Sequence, residues 1–296
     1  MVRSTGRLRG ATSAVPPTVL VVAATGSVQL GAAIAKGLFD SLGPGGTVFL
    51  RIFFAALLLI ALWRPRLRGY PRSGYLVAIL FGLVLAGMNL SIYLSFDRIP
   101  LGIAVTIEFI GPLGVAVAGS RRALDLLWVI LAAAGILLLS PIGILGSVDL
   151  DPVGVAFAIL AGCLWAAYIL LSARTGQIFP GGTGLVVAMC VGTVVLLPVG
   201  VAGAGAALLD PKYLLVGFAI AVLSSAIPYS IEMAALRRLP ARVFGVLMSL
   251  DPAVAALAGF LVLGERLEPR AIVAVFLVTV AAAGASLFSN RSAPKS

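Results

Sequence analysis

The sequence predicts an all-α integral membrane protein with about ten transmembrane helices. The 296-residue chain is 61% hydrophobic and only 11% charged, and its mean hydropathy is +1.14. These values lie far outside the globular range. A helix needs about 20 apolar residues to cross a hydrocarbon core of about 30 Å, and runs of that length recur along the whole chain. A transmembrane β-barrel would instead show short segments of alternating hydrophobicity, which this sequence lacks.

The predicted spans come from apolar runs that either contain one charged residue or contain none. Three runs each contain one charged residue, namely Arg51, Glu108 and Asp251. A longer charge-free run lies between Arg174 and Asp210. The first charge-free run follows basic residues as in a signal peptide. It is too long for one and lacks a convincing cleavage site, so we interpret it as a retained span. The other charge-free runs are residues 15–35, 73–96, 126–148, 152–173, 213–231 and 271–290.

The basic residues indicate the topology. The net charge is +10, and with a cytoplasmic N-terminus fifteen of the 21 Lys and Arg residues fall on the cytoplasmic side and six on the other. This bias follows the positive-inside rule and predicts that both termini are cytoplasmic. The excess charge therefore reflects topology and not nucleic-acid binding. The arginines of the 64–72 loop could also contact anionic membrane lipid.

An internal repeat divides the chain into halves. The motif Pro-Gly-Gly-Thr at 44–47 recurs at 180–183, and Pro112 is matched by Pro252 at nearly the same offset. Each half then holds about five spans, and an odd number forces the second copy into the opposite orientation. Inverted repeats are a recurring plan of secondary transporters, with the site between the halves. The predicted organisation is a cytoplasmic segment 1–14, two inverted five-helix repeats, 15–145 and 150–290, and a cytoplasmic tail 291–296.

Three acids inside predicted spans give the strongest indication of function. Glu108, Glu232 and Asp251 lie in apolar sequence, where a charged side chain costs about 2.5–3.5 kcal/mol on insertion scales. Intramembrane acids usually face a bundle interior or a water-filled cavity and handle protons, ions or substrate. Structural roles stay open for two of them, because Glu232 could pair with the arginines at 237–238 and Asp251 could pair with a helix terminus.

Prolines near these acids predict broken helices around a polar cavity. Pro112 has no N–H to offer the carbonyl of Glu108, and Pro252 leaves the carbonyl of Met248 free in the same way. Pro228 removes a backbone hydrogen bond from its own predicted span in the same way. Broken helices of this kind are tolerated where they line a hydrated cavity. Six polar or aromatic residues are candidates to line it: Gln29, Asn89, Tyr93, Trp165, Tyr168 and Tyr229.

Several function classes are excluded by what the sequence lacks. It contains no phosphate-binding loop for ATP, no His-Glu-x-x-His zinc motif and no histidine at all. Its two cysteines lie in predicted helices and indicate neither a disulfide framework nor a metal site. A selective channel would need a filter sequence or a ring of charges. We therefore expect no enzyme, no metal and no cofactor. An ion gradient, most simply of protons, remains as the energy source.

Seven short strings carry a family resemblance. They are Ala-Ile-Ala-Lys-Gly-Leu-Phe at 33–39, Pro-Leu-Gly-Ile-Ala-Val at 100–105, Glu-Phe-Ile-Gly-Pro-Leu at 108–113, Ser-Arg-Arg at 120–122, Pro-Tyr-Ser-Ile-Glu-Met at 228–233, Phe-Gly-Val-Leu-Met-Ser at 244–249 and Gly-Glu at 264–265. In order and spacing they resemble the EamA branch of the drug/metabolite transporter superfamily, and within it bacterial exporters of threonine and homoserine. The resemblance implies ten helices in two inverted repeats and proton-linked efflux of small amino acids. Asp251 departs from it, because the exporter pattern has Glu there.

Residues and resemblance together lead to one hypothesis. Glu108, with Asp251 or Glu232, holds the ammonium of an amino acid, and Lys36 or Arg51 attracts its carboxylate. Snorkelling to the membrane interface would explain the two cations equally well. Protonation of Glu108 from outside would then release the substrate, which is a minimal proton antiport across a bacterial plasma membrane.

Two alternatives stay open. The first is efflux of cationic drugs or other small metabolites, with aromatic walls around a buried acid. The second is a non-transporting membrane assembly protein whose acids are permanently paired. The expected partners are a small-molecule substrate, protons and membrane lipid, and a homodimer is compatible with the sequence.

Overall fold

The computed structural model describes residues 16–65, 69–118, 123–138, 150–179, 182–228 and 248–289, and within these ranges every regular element is helical. The predicted terminal segments 1–14 and 291–296 lie outside the described residues. A 3-10 turn spans Gly205–Leu209, and a π-helical turn spans Val222–Ala226. The α-helices are α1 Pro17–Lys36, α2 Phe39–Trp63, α3 Arg72–Phe96, α4 Leu101–Glu108, α5 Ile110–Ala118, α6 Ala123–Leu138, α7 Pro152–Ile178, α8 Thr183–Ala204, α9 Pro211–Ala221, α10 Asp251–Leu263 and α11 Pro269–Ser289.

Length and apolar composition suit these helices to a bilayer. Shorter apolar helices occur at Leu101–Val115, Pro211–Ser225, Asp251–Leu263 and Pro269–Ala281. The prediction of an all-α membrane protein is thereby confirmed, whereas the number of ten spans stays a prediction. Among the described residues, five segments are long and apolar enough to cross a membrane: Val19–Lys36, Phe39–Trp63, Arg72–Phe96, Pro152–Ile178 and Thr183–Leu209.

Aspartate–proline pairs set the starts of two helices. Asp151 precedes Pro152 and Asp210 precedes Pro211, and each aspartate accepts a 2.8 Å hydrogen bond from the backbone N–H two residues later. This N-cap satisfies a donor that the helix leaves free, and proline is tolerated at the first helical position. Arg98 also donates to Asp151 over 2.7 Å, and this bond, together with the cap, holds the pKa of the Asp151 carboxyl below its usual value.

The helices pack in pairs around one core. Within the described residues α2 packs along α8, α3 along α7 and α6 along α11, while α1 contacts α9, the π turn and α10. Helix α4 packs on α10 so closely that a Cβ added at Gly102 would lie 2.5 Å from the Cα of Ala256. Since α4 ends at Glu108 and α10 begins at Asp251, this packing places both acids in the interior.

A second interaction ties three elements together away from the middle of the bundle. The Lys36 ammonium, at the end of α1, donates to Glu265 Oε1 over 2.7 Å and to the carbonyl of Ile99 over 3.0 Å. Glu265 Oε2 accepts a 2.9 Å hydrogen bond from the N–H of Leu101, the first residue of α4. The side chains of Lys36 and Glu265 are only 21% and 13% exposed. Glu265 thus caps α4 and neutralises Lys36.

We expect Lys36→Met to destabilise the protein, because it leaves the Glu265 carboxylate half-buried without its cation. A partly buried pair lies between the exposed and the fully buried cases, so the loss should be about 1–3 kcal/mol. The measurement is the melting temperature of the purified protein in detergent. Arg98→Met is the matched control, because it breaks the more exposed pair with Asp151 and should lower the melting temperature less. Equal losses in the two variants would contradict the account of Lys36.

Candidate functional site

A cavity of about 580 Å³ lies between the helices and is lined from both halves of the chain. Its described lining comes from α1, α2, α3, α4, α5, α7, α8, α10 and the π turn. Two acids and one arginine face it, together with polar and aromatic side chains. The charged and polar lining residues are Thr25, Gln29, Arg51, Asn89, Tyr93, Glu108, Tyr168, Ser224, Ser225 and Asp251, and Phe96, Phe109 and Trp165 add aromatic surface.

Glu108 lies at the end of α4, where the helix breaks before α5 begins. The sequence explains the break, because Pro112 offers no N–H to the carbonyl of Glu108. The side chain is 8% exposed and lines the cavity. The backbone carbonyl of Glu108 is also in close contact with α7. A Cβ added at Gly162, on α7, would lie 2.7 Å from the backbone oxygen of Glu108.

Arg51, on α2, contacts an aromatic ring and forms no salt bridge with an acid among the described residues. Its guanidinium carbon lies 5.0 Å from the centre of the Tyr93 ring, within the range of a cation–π contact. Arg51 Nε and the Tyr93 hydroxyl are both buried without a hydrogen-bond partner among the described residues. Arg51 and Asp251 both lie within electrostatic range of Glu108. The cation therefore keeps donors free for an anion beside the Glu108 carboxyl.

Asp251 begins α10 but does not cap it. It precedes Pro252, as in the two capping pairs described above, yet it occupies the first helical position, and Leu250 is the N-cap residue. Its side chain is 6% exposed, and Oδ1 has no hydrogen-bond partner among the described residues. Thr25 and Gln29, one turn apart on α1, are its polar neighbours. Asp251 thus lies in the first turn of its own helix, while its polar side-chain neighbours come from α1.

The structure brings most of the predicted site residues together. Pro112 and Pro228 also line the cavity, whereas Pro252 is buried at the start of α10 outside its lining. Asn89 donates its amide to the carbonyl of Leu85 over 2.8 Å, so part of its polarity is used within α3. Five of the six predicted lining residues are found in the cavity: Gln29, Asn89, Tyr93, Trp165 and Tyr168.

Other predicted residues are not in the cavity. The expectation that Lys36 binds a substrate carboxylate is corrected by its position, since its ammonium is paired with Glu265 and it does not line the cavity. Glu232 and Tyr229 lie outside the described residues.

Sequence reasoning missed three hydroxyl residues of the lining. Thr25 stands one helical turn before the predicted Gln29, so a search for polar residues at i and i+4 on α1 would have found it. Ser224 and Ser225 lie in the π-helical turn after α9. The sequence gives no signal for this turn. Such turns are frequent at functional sites.

The fold and the cavity define the class of protein as an integral membrane transporter. The described helices enclose a cavity lined by Glu108, Asp251 and Arg51, and none of these three forms a salt bridge with a described residue that would offset the cost of its burial.

Comparisons with known proteins agree with this class. Residues 152–287 match the EamA-like transporter family. The chain is 42% identical to the threonine/homoserine exporter RhtA of Salmonella typhimurium strain LT2. The alignment extends over 276 residues and covers 93% of this chain and 92% of that protein. It is 41% identical over 272 residues to RhtA of Escherichia coli K12, covering 92% and 91%. The chain belongs to the EamA-like transporter family.

A solved structure shares the fold. That crystal structure is 18% identical to this chain, superposes with a TM-score of 0.59, and covers 92% of this chain and 98% of its own. The similarity therefore extends over almost the entire length of both proteins.

We expect Gly162→Ala to impair transport, because the added Cβ would lie 2.7 Å from the Glu108 carbonyl oxygen, a backbone atom that cannot turn away. The α4–α5 break would shift, and Glu108 would move with it. Gly176→Ala on the same helix is the control, since a Cβ there meets nothing within 4 Å. The measurement is the initial rate of substrate transport in vesicles at equal amounts of protein. Unchanged rates for Gly162→Ala would show that the close approach of α7 does not position Glu108.

Proposed function

We propose that this protein exports small amino acids of the threonine and homoserine type across a bacterial plasma membrane in exchange for protons. The observation that carries the proposal is the juxtaposition, in one cavity, of Glu108 with Arg51, neither of which forms a salt bridge with a described residue. The similarity to threonine/homoserine exporters suggests the substrate class, and the cavity provides the charged groups that such a substrate needs.

A zwitterionic amino acid fits these two groups. Its ammonium and carboxylate are attached to the same carbon, so their protein partners must lie close together and carry opposite charges. Arg51 lies within electrostatic range of Glu108 and keeps an unpartnered Nε, and guanidinium is well suited to bind a carboxylate. The Glu108 carboxylate then binds the ammonium. Lys36 has no part in this scheme, because Glu265 occupies it.

Proton coupling would follow from competition for Glu108. A deprotonated Glu108 binds the ammonium, whereas a protonated Glu108 is neutral and loses most of that attraction. Loading from the cytoplasm and proton entry from the other side would therefore drive the amino acid outward. The Glu108 side chain is 8% exposed, so its charge is screened less than that of a carboxylate on the protein surface.

The pattern of helix packing supports an inverted repeat with ten spans. With α4 and α5 counted as one span, α2 and α8 are the second spans of the two halves, and α6 and α11 are the fifth spans. Helix α2 packs against α8, and α6 packs against α11, so each of these helices contacts the corresponding span of the other half. The first span of one half contacts the third span of the other in both directions, as α1 does with α9 and α3 with α7. A two-fold axis in the membrane plane would produce these pairs and place the cavity between the halves.

The predicted topology and location form part of the proposal. The excess of basic residues in alternate loops favours cytoplasmic termini, and the bacterial sources of the relatives favour a bacterial plasma membrane.

Efflux of lipophilic cations is the second candidate, and the aromatic lining favours it. Trp165 packs edge-on against Phe109 with ring centres 5.4 Å apart, and Tyr168 packs on Phe81 at 5.1 Å. Two acids in the same cavity would attract a cation. Arg51 opposes this reading, because its charge faces the same cavity. The third alternative, a protein with permanently paired acids, conflicts with the unpartnered Oδ1 of Asp251.

The test is uptake of radiolabelled threonine and homoserine into inverted membrane vesicles with an acidic interior. We expect accumulation that depends on the pH gradient in the wild type and is lost in Glu108→Gln, because the amide can neither exchange a proton nor bind the ammonium as a charge. A lipophilic cation such as tetraphenylphosphonium serves as the competing substrate.

Two results would contradict the proposal. Gradient-driven accumulation of amino acids by Glu108→Gln would remove Glu108 from the coupling step. Uptake of the lipophilic cation without uptake of either amino acid would favour the second candidate. Glu268→Gln is the matched control, because this acid is exposed and lies outside the cavity.

A further inference from the structure

The cavity contains a second polar group that the binding of a zwitterion leaves unused. Thr25 and Asp251 are 1% and 6% exposed, and Thr25 lies close enough to interact with the Asp251 carboxylate, yet neither Thr25 Oγ1 nor Asp251 Oδ1 forms a well-aligned hydrogen bond with a described residue. Gln29 is 5% exposed and stands beside them. Buried polar atoms in proteins are nearly always hydrogen-bonded, so atoms left unpartnered on a cavity wall indicate a ligand or water that completes them.

The charges in the cavity indicate which part of the substrate reaches this group. The electrostatic field of Arg51 acts on Glu108, whereas the polar neighbours of Asp251 are Thr25 and Gln29. The ammonium and carboxylate of an amino acid are attached to one carbon, so they remain with Glu108 and Arg51. Asp251 lies within electrostatic range of Glu108, on the α1 side of the cavity. On the function proposed above, with the ammonium and carboxylate bound by Glu108 and Arg51, the substrate's side chain would extend toward Asp251.

We propose that Thr25, Gln29 and Asp251 form a subsite that recognises a hydroxyl group on the substrate side chain. The subsite would make the transporter select hydroxyl-bearing amino acids over aliphatic amino acids of the same shape. This inference rests on the function proposed above and adds to it the residues that choose among amino acids.

The hydrogen-bonding capacities of the three side chains match a hydroxyl. The Asp251 carboxylate only accepts, so it takes the hydroxyl hydrogen. The Thr25 hydroxyl and the Gln29 amide can donate to the hydroxyl oxygen. A methyl group in the same place would offer neither a donor nor an acceptor, so Asp251 Oδ1 and Thr25 Oγ1 would stay without a well-aligned hydrogen bond. Sites built to bind a hydroxyl reject the analogue that lacks it far more strongly than apolar pockets reject an added methyl.

The test compares substrates that differ by a hydroxyl and a methyl. Threonine is paired with valine, and homoserine with norvaline, in uptake assays on vesicles that contain the wild type or Thr25→Val. We expect the wild type to prefer the hydroxyl member of each pair by about a hundredfold or more in kcat/KM. Thr25→Val should narrow that preference about tenfold, the worth of one hydrogen bond, mainly by raising the KM for threonine.

Further variants separate specificity from folding. Thr25→Ser keeps a hydroxyl and should restore most of the preference. Gln29→Leu should narrow the preference as Thr25→Val does, so the test does not depend on one variant. Thr175→Val is the matched control, because this buried threonine donates to the carbonyl of Leu171 in its own helix and lies outside the cavity.

The outcomes distinguish this subsite from the function on which it rests. A threonine-to-valine ratio that stays at the wild-type value in both Thr25→Val and Gln29→Leu would overturn the subsite and leave amino-acid export intact. Equal transport of threonine and valine by the wild type would also overturn it. No transport of any of the four amino acids by the wild type would overturn the proposed function, and the subsite with it.

Discussion

A carboxyl group inside a membrane protein must find a cation, a proton or a ligand, and the structure leaves this requirement open at Glu108 and Asp251. Neither acid forms a salt bridge with a described residue, although Arg51 lies close enough to Glu108 to act on its charge. Arg51 is itself supported by the face of the Tyr93 ring. An arrangement of this kind is costly to bury unless a mobile charge completes it. The cavity is therefore best understood as a site in which charge is exchanged.

The surrounding helices serve to hold these groups in place. Helix α4 breaks where Pro112 removes a hydrogen bond. Because Gly162 has no side chain, α7 can pack directly against the backbone at this break. Helix α10 starts at Asp251, and its packing on α4 at Gly102 sets the two acids beside each other. Lys36 and Glu265 fasten the far ends of the same helices, since Glu265 receives the first N–H of α4. The site is thus positioned by backbone breaks and close helix contacts more than by side-chain networks.

Much of this arrangement could be predicted from the sequence, because the bilayer limits what an apolar sequence can form. Hydropathy alone indicated the helices, and the isolation of Glu108 in apolar sequence indicated a functional acid. The aromatic and amide residues on the cavity wall were found because they are unusual in such helices. The pairing of Lys36 could not be predicted, because its partner Glu265 is 229 residues away in sequence and no local pattern indicates such a pair.

Other features were overlooked for different reasons. Thr25 lies one helical turn before Gln29 and shares its face, but it carries no charge, and its position beside Asp251 is what gives it significance. The π-helical turn that presents Ser224 has no proline or glycine to mark it.

The most direct test of the central claim is whether binding an amino acid releases a proton from Glu108. Threonine binding to the purified protein is measured by calorimetry in buffers of different ionisation enthalpy, which reports the number of protons released. The account predicts release in the wild type across the pH range in which Glu108 titrates, and none from that position in Glu108→Gln. Binding heats that are independent of the buffer in the wild type, at every pH tested, would contradict competition between proton and substrate for this carboxylate.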